Sequence, residues 1–235
     1  MTLTRGTLNI NGNSVTMSTF TSTASNVRTF DFGTNGTVTL TGSGATIWNV
    51  GNASTSTISG TGTVVCNYSG SVGTRTIANT PDTGATGVSF SITAGTDTVV
   101  FTAADLVNNI DFTGFSGTWT NVALSVYGNL TTSTGMTVSA GIGAVTFAAT
   151  SGTKTLTTNG KTWDFPVTFD GVGGTWQLVD ALTVGSTRTT TLTNGTLNLN
   201  TKTLSTGLFA SANTNTRTLT NGVGGNITIK SEEHT

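Results

Sequence analysis

Leu3-Thr4-Arg5-Gly6-Thr7-Leu8-Asn9-Ile10-Asn11 returns almost letter for letter as Leu192-Thr193-Asn194-Gly195-Thr196-Leu197-Asn198-Leu199-Asn200. The offset is 189 residues, and it carries residues 3–40 onto residues 192–229 without a gap. Further along, Phe20, Asn26, Arg28-Thr29, Gly33 and Gly36 lie over Phe209, Asn215, Arg217-Thr218, Gly222 and Gly225, for 15 identities in 38 positions. A Thr-rich composition inflates such a count but does not produce the Phe, Arg and Leu matches. Internal repetition of this kind is the mark of a chain built from stacked supersecondary units.

Inside the repeat, apolar residues alternate with Thr, Ser or Asn. Thr37-Val38-Thr39-Leu40, Val88-Ser89-Phe90-Ser91-Ile92, Leu124-Ser125-Val126-Tyr127 and Thr196-Leu197-Asn198-Leu199 show the same rhythm. Period two places one face in a core and the other in water, which is the pattern of a strand. The bursts are punctuated by Asn11-Gly12, Asn35-Gly36, Asn159-Gly160, Asn194-Gly195 and Asn221-Gly222. Both residue types tolerate positive φ, so these pairs read as tight turns.

Composition agrees. Thr (58), Ser (21), Gly (31) and Asn (21) make up 131 of the 235 residues, against two Glu, one Gln, four Lys and two Pro. β-branched residues are abundant and straight-chain helix formers scarce, so the chain is expected to be all-β. Charged residues are only 8%, with a net charge of −1 and 34% apolar residues, which does not fit the high-charge, low-hydrophobicity profile of disorder. Short strands, Gly/Asn turns and internal repeats together point to a parallel β-solenoid, or β-helix, with a β-sandwich repeat as the alternative. A coil of three short strands uses roughly 20–28 residues, giving about nine coils. One repetitive domain is expected over residues 1–230, with 231–235 as a flexible tail.

A smaller unit recurs: a turn residue, Thr or Val, a basic residue, then Thr. It appears at Asn26-Val27-Arg28-Thr29, Gly73-Thr74-Arg75-Thr76, Gly152-Thr153-Lys154-Thr155, Ser186-Thr187-Arg188-Thr189 and Asn215-Thr216-Arg217-Thr218. The expected role is a strand start, where a long cation lies over a neighbouring coil and reaches turn carbonyls. A basic row touching an acidic glycan is the competing reading.

The phrases Leu192–Asn200, Asn215-Thr216-Arg217-Thr218, Thr39-Leu40-Thr41-Gly42-Ser43-Gly44-Ala45-Thr46-Ile47-Trp48-Asn49 and Asp111-Phe112-Thr113-Gly114-Phe115-Ser116-Gly117-Thr118-Trp119 resemble a family of repetitive proteins of tailed phages. That resemblance implies a non-enzymatic virion structural or tail-fibre module, located on the particle or outside the cell. A rigid rod of this kind is expected to present a face to a host-surface glycan or receptor, and because residues 192–229 restate residues 3–40, self-association as a head-to-tail filament is expected, with a trimer as the competitor.

Nine basic and ten acidic side chains leave no electrostatic footprint for nucleic acid. No apolar run approaches the length of a membrane helix, so no membrane insertion is expected. Met1–Arg5 leads straight into alternating sequence, with no signal-peptide pattern. His234, the single histidine, lies in the terminal five residues, so neither catalytic triads nor histidine metal sites are expected, and no cofactor or metal is implied. Cys66, the one cysteine, reads as a small buried residue of a strand. Carboxylate chemistry on a polysaccharide is the enzymatic alternative. Of the eight aspartates, Asp31, Asp82, Asp97, Asp105, Asp111, Asp164, Asp170 and Asp180, the pair Asp164 and Asp170 flanks Phe165-Pro166-Val167-Thr168-Phe169. A glycan groove would take these two with Trp163 and Trp176 as stacking platforms; otherwise the aspartates hold turns and the aromatics fill the core. The many Thr-x-Thr triplets raise a remote third reading, ice binding.

Overall fold

Alternation fixes which side of each strand is dry. In Val88–Ile92, the side chains of Val88, Phe90 and Ile92 are buried while Ser89 and Ser91 are half-exposed, and the same register repeats along the chain. A computed structural model describes residues 1–51, 55–71, 73–81, 83–102 and 104–230. The tail at 231–235, with His234, and Asp82 lie outside the described residues.

The described residues wind into about ten coils, each offering three strand positions. The first coil is β1 (Gly6–Asn9), β2 (Ser14–Met17) and β3 (Phe20–Ser22). In the second, one long strand, β4 (Arg28–Leu40), takes two positions and β5 (Thr46–Val50) the third. The third coil follows suit with β6 (Ser56–Cys66) and β7 (Thr74–Asn79). A 3-10 turn, Ala85–Gly87, opens the fourth, ahead of β8 (Val88–Ile92) and β9 (Thr98–Phe101). The fifth has β10 (Asp105–Val107), β11 (Ile110–Asp111) and β12 (Thr118–Thr120). The sixth has β13 (Leu124–Val126), β14 (Leu130–Thr131) and β15 (Thr137–Val138). Then come β16 (Val145–Phe147), β17 (Thr153–Thr157) and β18 (Thr162–Trp163). The eighth coil is β19 (Val167–Leu178) with β20 (Leu182–Val184), and the ninth β21 (Thr189–Asn198) with β22 (Thr203–Thr206). The tenth is β23 (Leu208–Ala210), β24 (Arg217–Thr220) and β25 (Asn226–Ile229).

Like positions stack on like positions, and the strand pairings among the described residues are parallel. That arrangement overturns the β-sandwich alternative, in which neighbouring strands run antiparallel. The first and second stacks merge into one sheet because β4, β6, β19 and β21 bend through the corner between them without ending. In β4 the bend is made by register shifts around Thr34, which is how an extra residue turns a strand. The third stack is divided into two sheets, at β15 and β18.

The 189-residue repeat acquires a geometry here. Gly6–Asn9 lies in the first stack, whereas its counterpart Gly195–Asn198 lies in the second, paired with β24. Ser14–Met17 is in the second stack and residues 203–206 in the third. The repeat is therefore eight coils plus one strand position. Its unit is a strand with its turn, a piece that serves any of the three faces because each asks for the same alternation.

The interior is apolar and aromatic. All four Trp and ten of the eleven Phe are buried. Phe20, Phe30, Phe32 and Trp48 form one run of edge and tilted ring contacts, with centroids 4.7 to 6.3 Å apart. Phe112, Trp119, Phe165, Trp163, Phe147, Phe169 and Trp176 form a second. Ring pairs at these separations stabilise beyond their area burial.

Candidate functional site

Carboxylates are the groups on which the polysaccharide-cleaving alternative rests, and seven aspartates are described. Asp31 and Asp111 close local turns, accepting from the N–H of Gly33 (2.9 Å) and Thr113 (2.9 Å). Asp180 accepts from the Thr158 N–H (2.8 Å), the Thr158 hydroxyl (3.0 Å) and the Asn159 N–H (2.6 Å) of the coil below. Asp97 forms a buried two-pronged pair with Arg75, at 2.5 and 2.6 Å, and the guanidinium also lies 6.0 Å from the Tyr68 ring centre.

Asp105 is buried and accepts from the N–H of Asn79 (2.7 Å) and from the N–H (2.8 Å) and hydroxyl (3.0 Å) of Thr102. Asn79 in turn takes the Trp48 indole N–H (3.1 Å) and donates to the carbonyls of Ala85 and Leu106. Burial pushes the Asp105 carboxyl up to about 6; the Asn79 and Thr102 donors oppose it without cancelling it. Cys66 is also buried, which pushes its thiol up to about 12, with Arg75 pulling down and Asp97 pushing up more weakly. A thiol so placed is an inert core residue.

The proposed glycan set does not come together. Asp164 sits at the corner between the third and first stacks, where Arg188 Nε donates to it at 2.8 Å. Asp170 sits in the bent middle of β19, at the corner between the first and second stacks, and accepts from Asn194 Nδ2 at 2.6 Å. The two aspartates thus occupy different edges of the coil. Trp163 and Trp176 have no exposed surface; Trp163 stacks on Phe147 and Phe165, and Trp176 packs on Phe147 and Phe169. They are core residues and present no face to a sugar. The cause is periodicity: each occupies an inward position of an alternating strand. Among the described residues no three His, Cys, Asp or Glu side chains converge, and no helix is long and apolar enough to cross a membrane.

Three of the five basic strand starts, Arg28, Arg75 and Arg217, reach turn carbonyls, while Arg188 reaches the Asp164 carboxylate. Arg28 donates from Nε to Ser22 Oγ (2.7 Å), from Nη2 to Ser22 O (2.8 Å), and from Nη1 to the carbonyls of Ala24 and Asn26. It then crosses to the next coil, donating to Gly51 O and Thr55 Oγ1. Arg217 repeats the first part at the same spacing: Nε to Ser211 Oγ (2.6 Å), Nη2 to Ser211 O (2.6 Å), Nη1 to the carbonyls of Asn213 and Asn215 (both 2.8 Å). The serine six residues ahead of the arginine, Ser22 and Ser211, was the overlooked signal, present in both copies of the repeat.

Sequence reasoning also missed a surface feature. The corner between the first and second stacks collects turn residues from successive coils, and Asn35, Thr61, Gly62, Ser89 and Asn109 line a shallow groove there. Thr61 donates to Asn35 Oδ1 at 3.3 Å and Asn109 Nδ2 to Ser89 Oγ at 3.0 Å. The ladder continues as Asn109 Oδ1 accepts the Asn129 N–H (2.7 Å) and Asn129 Oδ1 the Thr155 N–H (2.8 Å). Farther along the same edge, Gly173, Asn194, Thr196, Asn215 and Thr218 line a second depression. This edge offers amide and hydroxyl donors and acceptors with little charge, a chemistry suited to neutral, hydroxyl-rich ligands.

No protein-family model, curated protein or solved structure matches the chain. Fold and surface together define a parallel β-solenoid with a buried aromatic interior and an edge lined mainly by amides and hydroxyls.

Proposed function

We propose that the protein is a non-enzymatic structural and interaction module, a stiff β-solenoid rod serving a phage particle as part of a fibre, decoration or filament. The observation that carries this reading is the employment of the carboxylates: each of the seven described aspartates accepts hydrogen bonds from turns, neighbouring coils or an arginine. General acid–base work on a glycoside needs two carboxyl groups facing one bond, and Asp164 and Asp170 stand on different edges. The phage assignment is supported by the resemblance of the Leu192–Asn200 and Asn215–Thr218 phrases to repetitive virion proteins. The working surface for adhesion in this reading is the amide- and hydroxyl-lined edge carrying Asn35, Ser89 and Asn109, with a host-surface glycan as its ligand.

The test is incubation with bacterial capsular and host-surface polysaccharides, followed by pull-down and reducing-end assay. Binding that weakens in Asn35→Ala and Asn109→Ala, with no new reducing ends, is the expected result. Reducing ends that appear with the wild type and vanish in Asp164→Ala or Asp170→Ala would overturn the reading in favour of a depolymerase.

A further inference from the structure

We propose that the second depression on the amide- and hydroxyl-lined edge is a pocket for the ring of a neutral hexopyranose, read by Asn194 and seated on Val172. The inference rests on the adhesion reading above and gives its ligand a chemical class and a place.

In the eighth and ninth coils the chain rounds the corner between the first and second stacks as an unbroken strand, β19 and then β21. In the tenth it runs instead through a link, residues 211–216, between β23 and β24. The depression lies where these three meet. Val172 and Gly173 of β19, Asn194 and Thr196 of β21, and Thr214 and Thr216 of the link line it, around a volume of about 430 Å³. Small-molecule sites fall in this size range, and a sugar ring fits within it. Because three successive coils supply the walls, the pocket belongs to the side of the rod.

Two clamps fix its shape. The first is Asp170, whose Oδ1 takes a hydrogen bond from Asn194 Nδ2 at 2.6 Å. A carboxylate only accepts, so this bond decides which way round the amide stands. Asn194 Oδ1 then has no donor among the described residues, and neither does Oδ2 of the exposed Asp170. Two acceptors side by side suit the neighbouring hydroxyls of a pyranose. The second clamp is Arg217, which donates to Ser211 Oγ and Ser211 O (both 2.6 Å) and to the carbonyls of Asn213 and Asn215 (both 2.8 Å). It holds the link in one shape before a ligand arrives, which lowers the ordering cost of binding.

The lining also selects by charge. None of the residues that line the depression is ionisable. Arg217 turns all three of its nitrogens to the link, and the carboxylate that orients Asn194 repels an anion. Val172 is 69% exposed, an apolar side chain beside hydroxyls and amides. It matches the C–H face of a sugar ring, while the hydroxyls of Thr196, Thr214 and Thr216 can each donate or accept around it. An uncharged lining, two fixed acceptors and an apolar platform together describe a neutral hexose.

The test is titration of the full chain with methyl galactopyranoside, methyl mannopyranoside and methyl glucopyranoside, read by saturation-transfer NMR and calorimetry, with methyl glucuronide as the anionic comparison. At least one neutral hexoside is expected to bind at a single site, more tightly than the glucuronide. Asn194→Ala is expected to weaken it about tenfold, the loss of one fixed acceptor. Arg217→Ala, which frees the link, should also weaken it, with the circular dichroism spectrum unchanged. Asn35→Ala, in the other groove, should leave hexoside affinity as it was. If Asn194→Ala does not fold, Val172→Ser, at an exposed position, reads the same pocket and is expected to weaken binding. Tighter binding of the glucuronide, or loss in Asn35→Ala but not in Asn194→Ala, would overturn the assignment. No hexoside binding at all would overturn it too; polysaccharide capture that still depends on Asn35 and Asn109 would then leave the adhesion reading standing without this pocket.

Discussion

Arg28 and Asp105 show how a chain with so few charges uses them. Arg28 gathers carbonyls from Ser22, Ala24, Asn26 and Gly51 around one buried guanidinium, and removing it takes a charged donor from all four at once. Arg28→Ala is expected to lower stability by on the order of 3 kcal/mol. The same change at half-exposed Arg217 costs about 1 kcal/mol or less, a contrast that urea unfolding would read. Asp105 gives a pH signature. Its folded-state pKa, about 6, stands above the ordinary 3.8, so between these values the folded chain keeps a proton that the unfolded chain releases. Stability from this group is therefore full below about pH 4 and falls as pH rises through about 6. Melting temperature followed from pH 4 to 7 should show that fall in the wild type, and Asp105→Asn should flatten it. The basic strand starts were legible in the sequence because they repeat in a fixed phrase. Their partners were not: Gly51, Thr55 and Asp97 come from other coils at spacings no motif fixes.

At the scale of the element, the corners decide the geometry. Asn11, Asn35 and Asn159 and the glycines Gly12, Gly160, Gly195 and Gly222 all have positive φ, so the Asn-Gly pairs were read correctly as places where the chain turns. What could not be read is that some Gly-rich corners interrupt no strand. Gly171-Val172-Gly173-Gly174 lies inside β19, because a bulged strand keeps pairing while it bends. Gly60 tests such a corner. It has φ of +75°, and a Cβ there would lie 2.1 Å from Gly33 O in the coil below. Gly73 has φ of +86° with nothing within 4 Å. Gly73→Ala is then expected to cost about 1 kcal/mol, the backbone strain alone. Gly60→Ala adds a backbone clash and should cost on the order of 3 kcal/mol. Equal losses in denaturant midpoint would show that the coils do not approach there as closely as the corner requires.

For the whole molecule, alternation and turns made the all-β solenoid legible, yet the number of coils came out near nine where about ten are described. The reason is the uneven coil: stacked partners are 19 residues apart at Asp105 and Leu124 but 29 apart at Trp48 and Ile77. Extra residues are absorbed in the corners, so no fixed period survives. The candidate site was less legible than the fold. Asp164 and Asp170 are close in sequence but straddle a strand that carries the chain from one corner to the next, and alternation turned Trp163 and Trp176 inward. Ten coils at about 4.8 Å span only some 43 Å from first to last strand, so the described coils make a short rod.

Parallel stacking is the claim on which all the rest depends, and disulfide trapping tests it most directly. Thr168 and Thr191 are register partners on the outer face of adjacent coils, and paired strands lie about 4.8 Å apart, within disulfide reach. Gln177 and Thr183, by contrast, flank the link between β19 and β20 and belong to different stacks, although a hairpin would place them face to face. Oxidation should close Thr168→Cys/Thr191→Cys within a single chain and leave Gln177→Cys/Thr183→Cys reduced. Closure of the second pair without the first would contradict the solenoid.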